Sequence, residues 1–332
     1  MKALLLDVGN TRIKWGVLDG EQIHKTGHIA LQKVRNQGLG VLTSRLPRNV
    51  DAVLASNVAG QTFATRLSGV IGMHCGCDVH FAKPEREACG VRNGYKQPRR
   101  MGVDRWVAMI GAWAELKSAC VVVDAGTAVT IDALDGDGQH LGGQILPGVV
   151  LMCAALAAST SDIQTVGARV PDAATELDIF GNNTASAVRN GAWNALVGAV
   201  ERSITTLRSN AYDPVVVLTG GDASRMLTAL GSESLHRPHL VLQGLARMPS
   251  PEYRVCAVSA SSLARNGPIV THERPTTASR SDGSPDPSTA PILATASAER
   301  SAVTSRAGPS SASSTMATPG CGGSSTNHPQ RK

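Results

Sequence analysis

Aromatic residues are scarce. Four Trp, three Tyr and three Phe make up 3% of 332 residues, so the core has to be packed mainly by Ala, Val, Leu and Ile. Long apolar runs are lacking too. Those near 149–158 and 121–123 fall short of the ~20 residues of a membrane span. Asp7 interrupts the N-terminal run too early for a signal peptide. The expectation is therefore neither a membrane protein nor a secreted one. Cysteine is odd in number, seven, and irregularly spaced. Cys75-Gly76-Cys77 is tighter than a CxxC pair, and no second pair follows. A disulfide scaffold is excluded and a reduced, cytoplasmic setting expected. No dense Lys/Arg run is interleaved with aromatics, so no nucleic-acid partner is expected.

The formal charge of +6 does not mark one basic patch. Residues 249–332 hold eight basic and five acidic residues, and the rest of the chain 24 and 21. The same boundary divides the composition. Beyond Met248, 54 of 84 residues are Ser, Thr, Pro, Ala or Gly, and ten of the 17 prolines lie there. Apolar side chains are too sparse there to offset the entropy of ordering, so a disordered tail over 249–332 is expected.

Residues 1–248 alternate apolar runs with helical patterns, which argues for an α/β fold. Strands are predicted over 3–6, 13–18, 52–55, 120–123, 129–134 and 215–218, and helices over 106–116 and 185–207. Asp135-Gly136-Asp137-Gly138 is a hairpin-turn signal. One motif occurs twice. A strand ends in Asp7-Val8-Gly9-Asn10-Thr11 and leads into a second strand, and Asp124-Ala125-Gly126-Thr127-Ala128 does the same. This duplication predicts two similar α/β lobes, 1–118 and 119–248, whose acidic loops face a common cleft.

The loops carry chemistry suited to phosphate. Glycine lets a hairpin approach a ligand backbone-first, and its exposed amides can hold phosphate oxygens. Asn10 and Thr11 add side-chain donors, Asp7 can hold Mg²⁺, and Lys14 can reach a phosphate as a point charge. One such turn is equally consistent with an ordinary hairpin. Two copies, with Thr219-Gly220-Gly221 after a third strand, suit a nucleotide between lobes. Gly102-Val103-Asp104-Arg105 precedes the 106–116 helix. There an Asp can take a proton from a hydroxyl and an Arg can grip a carboxylate. The pair also fits a helix-capping Asp beside a surface Arg. His24, His28, His74, His80 and His140 form no metal-ligand spacing, and Trp106 and Trp113 share a helical face that suits packing.

These residues resemble the type III pantothenate kinases of the acetate kinase/sugar kinase/Hsp70/actin superfamily. The resemblance rests on Asp7–Lys14, Gly102-Val103-Asp104-Arg105-Trp106 and Asp124-Ala125-Gly126-Thr127-Ala128-Val129-Thr130. Gly142-Gly143-Gln144-Ile145-Leu146-Pro147-Gly148 and Asn183-Thr184-Ala185-Ser186-Ala187-Val188-Arg189-Asn190-Gly191 extend it. It covers about residues 1–248.

The resemblance implies two actin-like (ribonuclease H-like) lobes around an interlobe nucleotide cleft. It implies phosphorylation of pantothenate by ATP, the first step toward coenzyme A. Asp7, Val8, Gly9, Asn10, Thr11, Arg12, Ile13, Lys14 and Thr127 would bind ATP, with Asp7 near Mg²⁺. Asp104 would be the general base. Tyr95, Gly102, Val103, Asp104, Arg105 and Thr184 would line the pantothenate site, with Arg105 on the carboxylate and Thr184 supplied across a homodimer. Asp124 would hold a monovalent cation, K⁺ or NH₄⁺. The family also includes transcriptional accessory proteins, so a non-catalytic nucleotide-binding regulator is the alternative.

Overall fold

The computed structural model describes residues 2–160, 179–231 and 234–248. The expected disordered tail lies outside the described residues. All of those described belong to one compact unit, Met1–Pro268.

Strand β1 (Lys2–Val8) explains the first lobe. Its alternation sends Leu4, Leu6 and Val8 to one face and Ala3 and Leu5 to the other, and both faces are buried. Such a strand belongs at the centre of a covered sheet. β1 pairs antiparallel with β2 (Arg12–Asp19), which pairs in turn with β3 (Gln22–Ala30). On its other side it pairs parallel with β4 (Ala52–Asn57), which is followed by β5 (Val79–Phe81). Helices α1 (Leu31–Gln37), α2 (Gly40–Thr43) and α3 (Gln61–Cys75) cover the outer face, contributing Leu31, Val34, Leu42, Leu67 and Ile71 to its core.

A short hairpin, β6 (Glu87–Ala88) and β7 (Val91–Arg92), leads to helix α4 (Val103–Leu116). The pattern then repeats. The second sheet contains β8 (Cys120–Ala125), β9 (Ala128–Leu134), β10 (His140–Pro147), β11 (Val215–Thr219) and β12 (Ser234–His236). The two strand orders, β3-β2-β1-β4-β5 and β10-β9-β8-β11-β12, are the same topology twice. Helices α5 (Val149–Ser159), α6 (Thr184–Ser209) and α7 (Ala223–Leu230) follow in the second half and pack on its outer core.

Between the inner faces of the sheets lie α4 and the last helix, α8 (Leu240–Leu245). One buried cluster joins Leu5 and Leu54 of the first sheet to Val122 and Val217 of the second through Trp106, Met109, Ile110 and Leu242. Helix α4 is buried on nearly all sides, as its apolar sequence requires. Trp106 and Trp113 are both part of this packing. A Cβ on Gly244 would collide with the Val107 carbonyl, so glycine sets how closely α8 approaches α4.

Two differences from the sequence expectation bear on the site. α4 begins at Val103, not at 106, with Gly102 as its extended N-cap. Asp104 and Arg105 therefore sit inside its first turn, and Asp104 is not the cap. Strand β3 carried no clear strand pattern because it is an edge strand exposed at most positions.

Candidate active site

Asp7 and Asp124 occupy matching places near the ends of the two central strands. After each, a tight turn closes on itself: the Gly9 N–H donates to the Arg12 carbonyl at 3.0 Å, and the Gly126 N–H to the Ala128 carbonyl at 3.2 Å. The turns meet across the lobes, where the Thr11 and Thr127 hydroxyls lie 2.6 Å apart. A third loop, Gly220-Gly221, joins them. Gly220 has φ +98°, and a side chain there would strike the Asp124 carboxylate and the Ala125 carbonyl. Only glycine satisfies both conditions. Arg12 reaches toward Gly221 from the opposite lobe.

The second hairpin is one residue shorter than the first. Lys14 stands opposite Asp7 in the register of β1 and β2, whereas Thr130 stands opposite Asp124. One lysine therefore serves both acids. Burial pushes Asp7 up to about 7; Lys14 opposes this, and Asp124 and Asp104 add to it. Burial likewise pushes Asp124 up to about 6, with Lys14 opposing and Asp104 adding. The Asp104 carboxyl is also raised, by burial first, against the hydrogen bond it accepts from the Arg105 backbone N–H. These three carboxylates feel one another's charge, so the fold has brought together the acids of three separate motifs.

Arg105 is buried. Its Nε and Nη2 donate to the two oxygens of Asp132 at 2.9 and 2.6 Å, and Nη1 donates to the Tyr95 hydroxyl at 2.8 Å. His140 completes this network with Nε2 3.0 Å from Asp132 Oδ1 and its ring stacked on Tyr95. Asp132 and His140 were not among the expected site residues. The signal for Asp132 is an acid on the core-facing side of β9, between Thr130 and Leu134. His140 gave none.

The other expected residues lie in four places. Gly9, Asn10, Thr11, Arg12, Lys14 and Thr127 lie on or beside the facing hairpins, and Gly102 and Val103 open α4 beside Asp104. The side chains of Val8 and Ile13 are fully buried in the outer core, which leaves only their backbone for a ligand. Thr184 is the exposed first residue of α6; among the described residues no hydrogen bond joins it to the rest of the site.

Asp7 and Asp124 offer hard oxygen donors where ionisation is opposed by burial and by like charge, so a cation would complete their surroundings. Among the described residues no three His, Cys, Asp or Glu form a ready-made metal cage.

A family model described as type III pantothenate kinase matches residues 3–206. The chain belongs to that family. Within the type III pantothenate kinases it is 41% identical over 243 residues to the relative from Azoarcus sp. (strain BH72), covering 73% of this chain and 89% of that one. It is 40% identical over 245 residues to the relative from Aromatoleum aromaticum (strain DSM 19018 / LMG 30748 / EbN1), covering 73% and 96%. A solved protein of Sinorhizobium meliloti, provisionally described as a 2-dehydro-3-deoxygalactonokinase, superposes with a TM-score of 0.50 at 13% identity. That match covers 82% of this chain and 100% of the other, and speaks for the actin-like fold alone. As a type III pantothenate kinase family member the chain is a phosphotransferase. No helix among the described residues is long and apolar enough to cross a membrane.

Proposed function

We propose that this protein transfers the γ-phosphoryl group of ATP to the primary hydroxyl of pantothenate in the cytoplasm. The observation that carries the reading is the convergence of two facing hairpins, joined at Thr11 and Thr127, whose acids Asp7 and Asp124 share Lys14, with Asp104, beside Arg105, near enough to act on both. Phosphoryl transfer needs alignment and charge neutralisation more than covalent chemistry. The hairpin 7–14 and Thr127 hold the ATP phosphates. Asp7 and Asp124 would hold the cations, Asp7 the Mg²⁺ that accompanies the nucleotide and Asp124 K⁺ or NH₄⁺. Neutralisation of phosphate charge is what these ions supply when bound.

Asp104 accepts the acceptor's hydroxyl proton. Its pKa is raised, by burial first, which strengthens the carboxylate as a base. Tyr95 and Arg105 face the pantothenate carboxylate, with Gly102 and Val103 forming the adjoining wall. The protein acts as a homodimer. Ile145, Val150, Leu151, Ile179 and Phe180 are exposed on β10, on α5 and just before α6, an apolar set that suits a second copy. Thr184, beside this set, enters the partner's acceptor site.

The test is turnover of ATP with pantothenate, with and without K⁺. Phosphorylated pantothenate and ADP in equal amounts, stimulated by K⁺, are expected. ADP at background in both conditions would return the chain to the regulatory alternative.

A further inference from the structure

The Arg105 guanidinium is clamped before any ligand arrives. An arginine has five N–H donors. Asp132 takes two along one edge and the Tyr95 hydroxyl takes a third. One N–H remains on each of Nη1 and Nη2. Asp132 is itself held from the far side by His140 Nε2. The side chains of Asp132, Arg105 and His140 are 2%, 4% and 0% exposed. The strand opposite leaves room for this arrangement. A Cβ at Gly143 would collide with Asp132 Oδ1 and with Arg105 Nη2 at once. His140 also stacks on Tyr95, so both aromatic and ionic contacts fix the same corner.

We propose that Asp132 and His140 are positioning residues that fix the plane of Arg105, and that this network sets the preference for an acceptor bearing a carboxylate. The inference rests on the reading that Arg105 faces that carboxylate, and it extends that reading to residues that touch no substrate. A planar fork binds a carboxylate bidentately only when its plane is set. Asp132 sets it through both oxygens, and His140 keeps Asp132 from turning.

The Asp132 charge also works the other way. It partly neutralises Arg105 and by itself weakens the pull on an anion. The sign of a substitution therefore decides between geometry and charge balance. In Asp132→Asn one oxygen becomes an NH₂ group facing an N–H donor, so the two-point clamp is lost while the volume stays.

The experiment measures kcat/KM for pantothenate and for its neutral amide analogue, in wild type, Asp132→Asn, His140→Leu and His140→Gln. Thermal melting and the KM for ATP are followed in each. Loss of one charge-assisted contact corresponds to about tenfold. The ratio of pantothenate to amide kcat/KM is expected to fall by about that factor in Asp132→Asn and by about threefold or more in His140→Leu. The ATP KM should stay within about twofold. His140→Gln, which can still donate to Asp132, is expected to restore most of the ratio.

An unchanged ratio with both acceptors weakened equally marks a merely structural role and overturns the inference. A raised ratio in Asp132→Asn marks charge balance and overturns it too. If Asp132→Asn does not fold, the two His140 variants decide. Wild type that phosphorylates neither acceptor overturns the function reading and this inference with it. Wild-type turnover with unaltered ratios in the variants overturns this inference alone.

Discussion

The Thr11 and Thr127 hydroxyls, one from each lobe, lie 2.6 Å apart. They stand on matching turns of the two repeated motifs, so the contact joins the lobes at the two loops. A hydroxyl can exchange this partner for a phosphate oxygen at small net cost, because one hydrogen bond replaces another.

Thr127→Val keeps the shape and removes the hydroxyl. The KM for MgATP is expected to rise by about three- to tenfold, the range of a single hydrogen bond. The KM for pantothenate should change by less than about twofold. Steady-state kinetics with each substrate varied in turn checks this; an unaltered ATP KM removes Thr127 from the nucleotide site.

Asp104→Asn retains the size of the side chain and an acceptor oxygen for the Arg105 backbone N–H. Turnover is expected to fall by at least ~10²-fold, the low end of general-base effects. Binding of a fluorescent ATP analogue should stay near that of wild type. Near-normal turnover would falsify the assignment of Asp104 as the base.

The Asp7 carboxyl, pushed up to about 7 from an ordinary 3.8, links stability to pH. Between those values the folded chain keeps a proton that the unfolded chain has released, so stability falls as pH rises from about 4 to 7 and then levels off. Asp7→Asn removes this dependence. In sodium buffer without divalent ions it is expected to melt roughly 3–8 °C above wild type at pH 8, with a smaller gain at pH 5. Its activity should nevertheless be lost, a stability gain at the cost of function. Equal melting of the two proteins at pH 8 counts against a buried, charged Asp7.

Truncation after Met248 leaves α8 and the cluster it shares with α4 intact. Kinase activity is expected to stay within about twofold of the full chain, and the melting temperature within about 2 °C, as for surface changes that touch no core contact. Loss of activity on truncation would assign residues 249–332 a role that their composition does not suggest.

Much of the fold was legible because central strands are buried on both faces. Runs such as 3–6, 120–123 and 215–218 are apolar at every position, and a window of a few residues suffices to find them. Strand β3 was not legible, since an edge strand exposed at most positions has no apolar alternation to reveal it. Asp104 was readable as a candidate base, but its place inside the first turn of α4 depends on Gly102 serving as the cap. Arg105 was readable only as a candidate carboxylate binder. Its clamp was not, because Asp132 and His140 come from two strands of the other lobe.

The sequence by itself determined the two-lobed α/β plan, the duplicated acidic hairpins and the family, since each is carried by short contiguous segments. Only the tertiary structure decided which groups share one electrostatic field. Asp7, Asp104 and Asp124 affect one another's ionisation, and Arg105 faces Asp132, because α4 and α8 pack between the two sheets and bring distant segments together. Those placements follow from burial summed over the whole interlobe core, including the close approach at Gly244, and no local pattern encodes that sum. The low aromatic content fits the same arrangement. Trp106 lies in the centre of this core among small aliphatic side chains that allow the sheets to close on the two helices.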